Sequence, residues 1–196
     1  MTRKIFLDLG AYIGDSVRFF REECEKAKEF EIFCFEPSPK LISKLEKVSN
    51  ITLIKAAAWS SNGTAFFYLG RGEGSTMYKD KTSAGIDPKN VIKVSTVDIA
   101  KFIKSNFNKS DKIWVKMNIE GGEYEIIPHL KKQGLLEWFD RVFVKWHSRK
   151  IPSLVVKDDE VRKMIPEAIP FWRGDLKHNP NIAKFLKENP KTKGLL

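Results

Sequence analysis

Cysteine is scarce in this 196-residue chain, which carries only Cys24 and Cys34. Two thiols cannot build a disulfide framework, and they lack metal-ligand spacing. They read as reduced core residues of a cytoplasmic protein. No stretch of about 18 apolar residues occurs, so no membrane-crossing helix is expected. A strand pattern begins at Lys4, which leaves no room for a signal peptide. Internal repeats and a domain linker are both missing, and the first turn lacks the dinucleotide fingerprint Gly-x-Gly-x-x-Gly.

What is present points to one globular domain over residues 1–196, with 42% apolar and 31% charged residues. The net charge is +10, and after residue 140 there are 13 Lys and Arg against 6 Asp and Glu. The excess therefore sits mostly in residues 141–196. Such a field attracts anionic partners, although lysine-rich surfaces also serve solubility alone.

Apolar periodicity places strands at residues 4–9, 31–36, 51–57, 91–97, 113–118 and 141–146. Helices are expected over 15–29, 39–48, 98–104, 121–132, 158–165 and 181–186, with Ser38 capping the second and Pro39 opening it. Asn62-Gly63 between two apolar runs predicts an inserted β-hairpin. Residues 70–90, rich in Gly, Ser, Lys and Asp, read as a mobile loop that could close over a ligand. Strands alternating with helices imply an α/β fold: a doubly wound, mostly parallel sheet with helices on both faces. Such sheets bind ligands beyond the carboxyl ends of their strands, at the switch point.

Those strand ends carry Asp8, Gly10 and Gly14; Glu36; Ala57 and Ala58; Asn118 and Glu120; and His147. Glycine lets backbone approach a ligand, and a helix N-terminus after the turn favours a carboxylate or phosphate. An acid ending the second strand can accept both hydroxyls of a ribose. The site suits an adenosine-type cofactor. Asp8 would crowd a pyrophosphate with like charge but suits the cationic S-adenosyl-L-methionine, which ranks ahead of a dinucleotide. Two turn glycines with no ligand remain the plain alternative.

The stretch Phe6-Leu7-Asp8-Leu9-Gly10-Ala11-Tyr12-Ile13-Gly14-Asp15-Ser16 resembles the first motif of the FkbM-type methyltransferases, a class I S-adenosylmethionine-dependent family. Phe35-Glu36-Pro37-Ser38 resembles their second motif, and Lys55-Ala56-Ala57-Ala58-Trp59 with Asn62-Gly63-Thr64 their third-strand segment. Ser95-Thr96-Val97-Asp98 is similar to the segment before their fourth strand. Lys116-Met117-Asn118-Ile119-Glu120-Gly121-Gly122-Glu123 resembles their Lys-Ile-Asp-Val-Glu-Gly-x-Glu signature. The resemblance implies a Rossmann-like fold and methyl transfer to a hydroxyl, often on a sugar or secondary metabolite. It implies that Asp8, Gly10 and Gly14 line the methionyl end and that Tyr12, Asp15 and Ser16 also bind the cofactor. Glu36 would hold the ribose, with Pro37 and Ser38 beside the adenine and Ala57 and Ala58 along its edge. Asn118 and Glu120 would face the transferred methyl and the acceptor. Asn118 stands where the family usually has Asp, which removes a charge close to the reaction.

An alkyl hydroxyl is poorly acidic, so a base helps its methylation. His147 is the first candidate, because an unperturbed imidazole titrates near neutrality. Glu120 is the second. Lys116 is the third, either pairing with Glu120 or approaching the acceptor. His129 and His178 read as structural and solvated, and Trp59, Trp114, Trp138 and Trp146 as core. Trp172, within Phe171-Trp172-Arg173, is the candidate for acceptor stacking. Asn118 and Glu120 make a poor magnesium site, so no metal is expected. The leading reading is O-methylation of a sugar or other small hydroxyl, with the basic excess favouring an anionic acceptor. RNA or nucleotide 2′-O-methylation ranks behind it, for want of an RNA-binding motif. A cofactor-binding regulatory protein without catalysis is the third reading.

Overall fold

The computed structural model describes residues 2–71 and 74–170. Its main sheet is built from β1 (Lys4–Leu9), β2 (Glu31–Phe35), β3 (Thr52–Ile54), β7 (Lys112–Met117), β8 (Phe139–Val144) and β9 (Ile169–Pro170). The order across the sheet is β3-β2-β1-β7-β8-β9 and every pair is parallel. The chain works outward from β1 in one direction, then returns to β1's other side with β7. The switch point therefore lies between the carboxyl ends of β1 and β7.

Side chains alternate across this sheet, so each strand feeds two cores. Ile5, Leu7 and Leu9 of β1 join Ile113, Val115 and Met117 of β7 on one face. That face packs against α3 (Ile99–Asn106) and α4 (Glu123–Lys132), through Ile103, Ile126, Ile127 and Leu130. Leu154 of α5 (Pro152–Val155) and Val161 of α6 (Asp158–Arg162) complete it. Phe6 and Trp114 point the other way, to Val17 and Phe20 of α1 (Asp15–Glu23) and Leu45, the last residue of α2 (Pro39–Leu45). Phe6 and Phe20 stack with ring centroids 4.2 Å apart. The expected layered α/β arrangement is what forms.

A second sheet holds β4 (Ala57–Trp59), β5 (Gly63–Tyr68) and β6 (Val91–Asp98) in the order β4-β6-β5. The expected hairpin across Asn62-Gly63 does not form: β4 and β5 both pair with β6, which lies between them. Asn62 is instead spent on β6, its Oδ1 accepting from Asp98 N at 2.8 Å. The expected strand over 51–57 likewise divides, its first part staying in the main sheet and its end entering the second. Helix α1 stops at Glu23 because Cys24 is extended, and a separate 3-10 turn spans Ala27–Glu29. Ser38 holds the cap position of α2, but its side chain makes no capping bond. Asp98 does cap α3, accepting from Ala100 N and Lys101 N, and His129 Nε2 lies 2.9 Å from the same carboxylate. The expected helix over 181–186, His178 and the Phe171-Trp172-Arg173 stretch lie outside the described residues.

The described residues of the connector from β5 to β6 are tied down at several points. Tyr68 and Thr76 exchange backbone hydrogen bonds, Arg71 N donates to Ala84 O, and Thr82 N donates to Lys150 O. Ser153 N donates to Asp80 at 2.8 Å.

Candidate active site

A cavity of about 450 Å3 opens at the switch point. Gly10, Tyr12, Asp15 and Ser16 from the β1–α1 turn line it, with Glu36 and Pro37 after β2 and Ala57 and Ala58 of β4. Lys116, Asn118 and Glu120 supply its third wall. Eleven of the fifteen residues singled out from sequence therefore meet in one space. Asp8, Gly14, Ser38 and His147 are not on its lining.

The parallel register explains Asp8. It sits directly opposite Lys116 on β7, so both side chains leave the sheet on the α1 face. Asp8 is wholly buried. Its Oδ1 accepts from Lys116 Nζ at 2.8 Å, and its Oδ2 from the Ser16 hydroxyl. Lys116 also donates to Gly10 O at 2.8 Å. Two expectations are corrected here. Asp8 braces the turn from behind instead of facing a ligand, and Lys116 pairs with Asp8 instead of Glu120. A charge compensated by an adjacent ammonium no longer selects a cationic ligand.

Gly10 and Gly14 both have left-handed backbone, with φ of +82° and +85°. Their surroundings differ. A Cβ on Gly10 would sit 2.3 Å from the Asn118 carbonyl oxygen, because the chain leaving β7 crosses directly over it. A Cβ on Gly14 would meet Val48 Cγ2 at 3.0 Å, the end of a side chain. The close approach that the motif signalled is made, at Gly10, by the protein's own backbone.

Glu36 directly follows β2 and lines the cavity, with only 5% of the residue exposed. Oε2 accepts from Tyr12 N at 3.0 Å and Oε1 from Ser38 N at 2.9 Å. Each oxygen keeps a second lone pair. Burial pushes this carboxyl up to about 7, against the two backbone hydrogen bonds that pull it down. Ser38 thus serves through its N–H, holding Glu36 from the side away from the cavity. Asn118 Oδ1 is buried and meets no donor among the described residues.

The segment after β7 is organised by Glu123, the first residue of α4, which is fully buried. Its Oε1 accepts from Ile119 N at 2.9 Å and its Oε2 from Gly121 N at 2.8 Å. The turn so formed puts Glu120 at φ 50° and on the cavity lining. His147 lies behind that turn, 1% exposed. Its Nδ1 is 3.0 Å from Glu123 Oε1 and its Nε2 is 3.1 Å from Glu120 Oε1. Burial opposes the imidazolium, but Glu123 and Glu120 outweigh it and push the His147 pKa up to about 9. The expected neutral base is therefore a buried cation between two carboxylates. Glu120 is the counterpart: burial would raise it, yet His147 and Lys81 hold it down at about 2.

Lys81 and Glu123 carry this network, and neither was singled out as a site residue. Glu123 stands inside the quoted signature, where its spacing from Glu120 was the available signal. Lys81 had none, being one lysine in a Gly- and Ser-rich connector. Trp59, expected in the core, is half-buried and lines the cavity, as do Gly74, Ser75 and Met77 of the connector.

Residues 8–169 match the family model described as the methyltransferase FkbM domain. No curated protein matches the chain. A solved structure, methyltransferase FkbM from Methylobacillus flagellatus KT at 2.20 Å resolution, is similar with a TM-score of 0.41 and 18% identity. The match covers 67% of this chain and 30% of that one, so the chain spans less than a third of that protein's length.

Proposed function

This chain belongs to the FkbM methyltransferase family, and from that premise we propose S-adenosyl-L-methionine-dependent transfer of a methyl group to a hydroxyl of a sugar or other small acceptor. The observation that carries the reading is the convergence, in one cavity, of the Glu36 carboxylate with the donor-free Asn118 Oδ1. Each is an acceptor without its full complement of donors, and an adenosyl amino acid brings ribose hydroxyls and an ammonium. The residues present fit that group.

When bound, the donor supplies a methyl carried on a sulfonium, ready for displacement by an oxygen in line with it. The chain's own residues then have three tasks. Glu36 grips the two ribose hydroxyls through its free lone pairs, fixed by Tyr12 N and Ser38 N. Asn118 takes a donor from the amino-acid end. Glu120, with its carboxylate at the cavity, accepts a hydrogen bond from the acceptor hydroxyl and points its oxygen.

Neither His147 nor Lys116 serves as the base in this reading. His147 is already protonated near neutrality, and Lys116 is committed to Asp8 and Gly10 O. A carboxylate held at about 2 is a weak base toward an alcohol. It is still a far stronger base than the protonated ether formed as the methyl arrives. The proton therefore passes to Glu120 late, after the carbon–oxygen bond forms, and alignment does most of the catalysis.

Titration calorimetry with S-adenosylhomocysteine tests the site. Wild-type protein should bind, and Glu36→Ala should lose roughly tenfold or more in affinity, as expected for lost hydrogen bonds to a charged group. Transfer of labelled methyl to a panel of neutral and anionic glycans, with RNA as the competing class, then identifies the acceptor. Absence of binding in the wild type would refute the reading.

A further inference from the structure

Lys81 is a deeply buried cation to which the methyl-transfer reading gives no role. Its side chain is 1% exposed. The ammonium is bonded to Glu120 Oε2 and donates to Gly74 O at 2.5 Å. One group thus joins the carboxylate at the cavity to the connector that forms the opposite wall. A lysine loses rotamer freedom and solvation on burial, so a chain with only a loop to anchor has cheaper means of doing so.

Two further contacts converge on the same turn. Thr76 Oγ1 donates to Glu120 O at 2.6 Å, and Tyr78 N donates to Thr76 Oγ1 at 3.2 Å. The Tyr78 ring lies over Gly121, where a Cβ would come within 2.8 Å of it. The connector is therefore seated on both sides of Glu120, with Lys81 as its charged contact. Glu120 has a cation on each oxygen: His147 at Oε1 and Lys81 at Oε2. Lys81 bonds one oxygen from the connector, and His147 stands at ion-pair distance from the other.

We propose that Lys81 is a positioning residue. Its ammonium orients the Glu120 carboxylate at the reaction centre and holds residues 74–77 as the wall against which the acceptor binds. The inference rests on the methyl-transfer reading above for its catalytic consequence. The donor-gripping residues, Glu36 and Asn118, make no contact with Lys81, so the two roles separate.

The test uses the full chain. Lys81→Met keeps the aliphatic stem and removes the ammonium. Glu120 still has His147 beside it, so its charge is not orphaned and the fold survives. Amide hydrogen exchange in residues 74–82 and 119–121 should accelerate by about tenfold or more, while β1 and β7 stay protected. Affinity for S-adenosylhomocysteine should stay within about twofold of wild type, while kcat with the acceptor falls on the order of 10²-fold, the scale of a 1 Å misplacement. Lys81→Arg, which keeps the charge, should recover most of both losses. The proposal is overturned if exchange in the two segments is unchanged, if it rises equally through β1 and β7, or if Lys81→Arg is no better than Lys81→Met. Wild-type protein that binds no S-adenosylhomocysteine removes the donor reading alone, and the exchange pattern then decides whether Lys81 holds the wall.

Discussion

Replacing Gly10 by alanine separates two reasons for a glycine in the first turn. If the residue is small to admit a ligand, the free protein should tolerate a methyl group and only binding should suffer. The structure says otherwise, because the added Cβ would lie 2.3 Å from the Asn118 carbonyl oxygen. An ordinary carbon–oxygen contact is about 3.3 Å or longer, so roughly 1 Å must be found. The end of β7 cannot easily yield it, being paired to β1 on one side and β8 on the other. Overpacking of this kind costs about 1–3 kcal/mol. Left-handed backbone at φ +82° costs a non-glycine residue about 1–2 kcal/mol more. The total is about 2–5 kcal/mol in the ligand-free protein. At about 2–4 °C per kcal/mol for a chain of this size, Tm should fall by roughly 10 °C. Gly14→Ala is the control. It carries the same backbone cost but meets only a movable valine methyl, so about 1–2 kcal/mol and roughly 4 °C are expected. Differential scanning calorimetry of the two ligand-free variants decides the matter. Equal losses, or a Gly10→Ala protein within about 3 °C of wild type, would refute the reasoning.

Asp8→Ala should destabilise by about 3–5 kcal/mol in urea denaturation, because the buried ion pair with Lys116 is broken; a change under about 1 kcal/mol would contradict the pairing. His147 has a folded-state pKa raised to about 9, so its contribution is complete below about 6.5 and is lost as pH rises through about 9. Stability of wild type relative to His147→Gln should therefore decline by about 3 kcal/mol across that window, and parallel pH profiles would disprove it. Glu36, raised to about 7 in the free protein, is half protonated at neutral pH. Ribose hydroxyls favour its carboxylate form, so S-adenosylhomocysteine binding at pH 7 should release about half a proton, seen as a binding heat that depends on the buffer's ionisation enthalpy. No buffer dependence would mean that the ligand does not meet Glu36.

The layered fold was legible because its signals are local. The apolar runs of β1 and β7 and the 3–4 spacing in α1 each lie within a dozen residues of sequence. The cavity was legible for a related reason: a parallel sheet brings its strand ends to one edge whatever the register. Register itself was not legible. Nothing in either strand says that Asp8 stands opposite Lys116, yet that one pairing turns an expected ligand contact into a brace and an expected partner of Glu120 into a partner of Asp8. The hairpin failed for the same reason, since Asn62-Gly63 is a sound turn signal but cannot report that β6, some thirty residues on, takes the place between its two arms. His147 was placed correctly after β8 and given the wrong charge, because its pKa depends on carboxylates 24 and 27 residues earlier.

The cavity's walls belong to two sheets that share no ladder. Glu36, Gly10 and Asn118 hang from the edge of the large sheet, while Trp59, Phe67 and the 74–77 strip come with the small one. Ala58 of β4 and Val97 of β6 nonetheless pack in the same core as Ile5 and Leu7 of β1, so a change in the small sheet reaches the large one through side chains instead of hydrogen bonds.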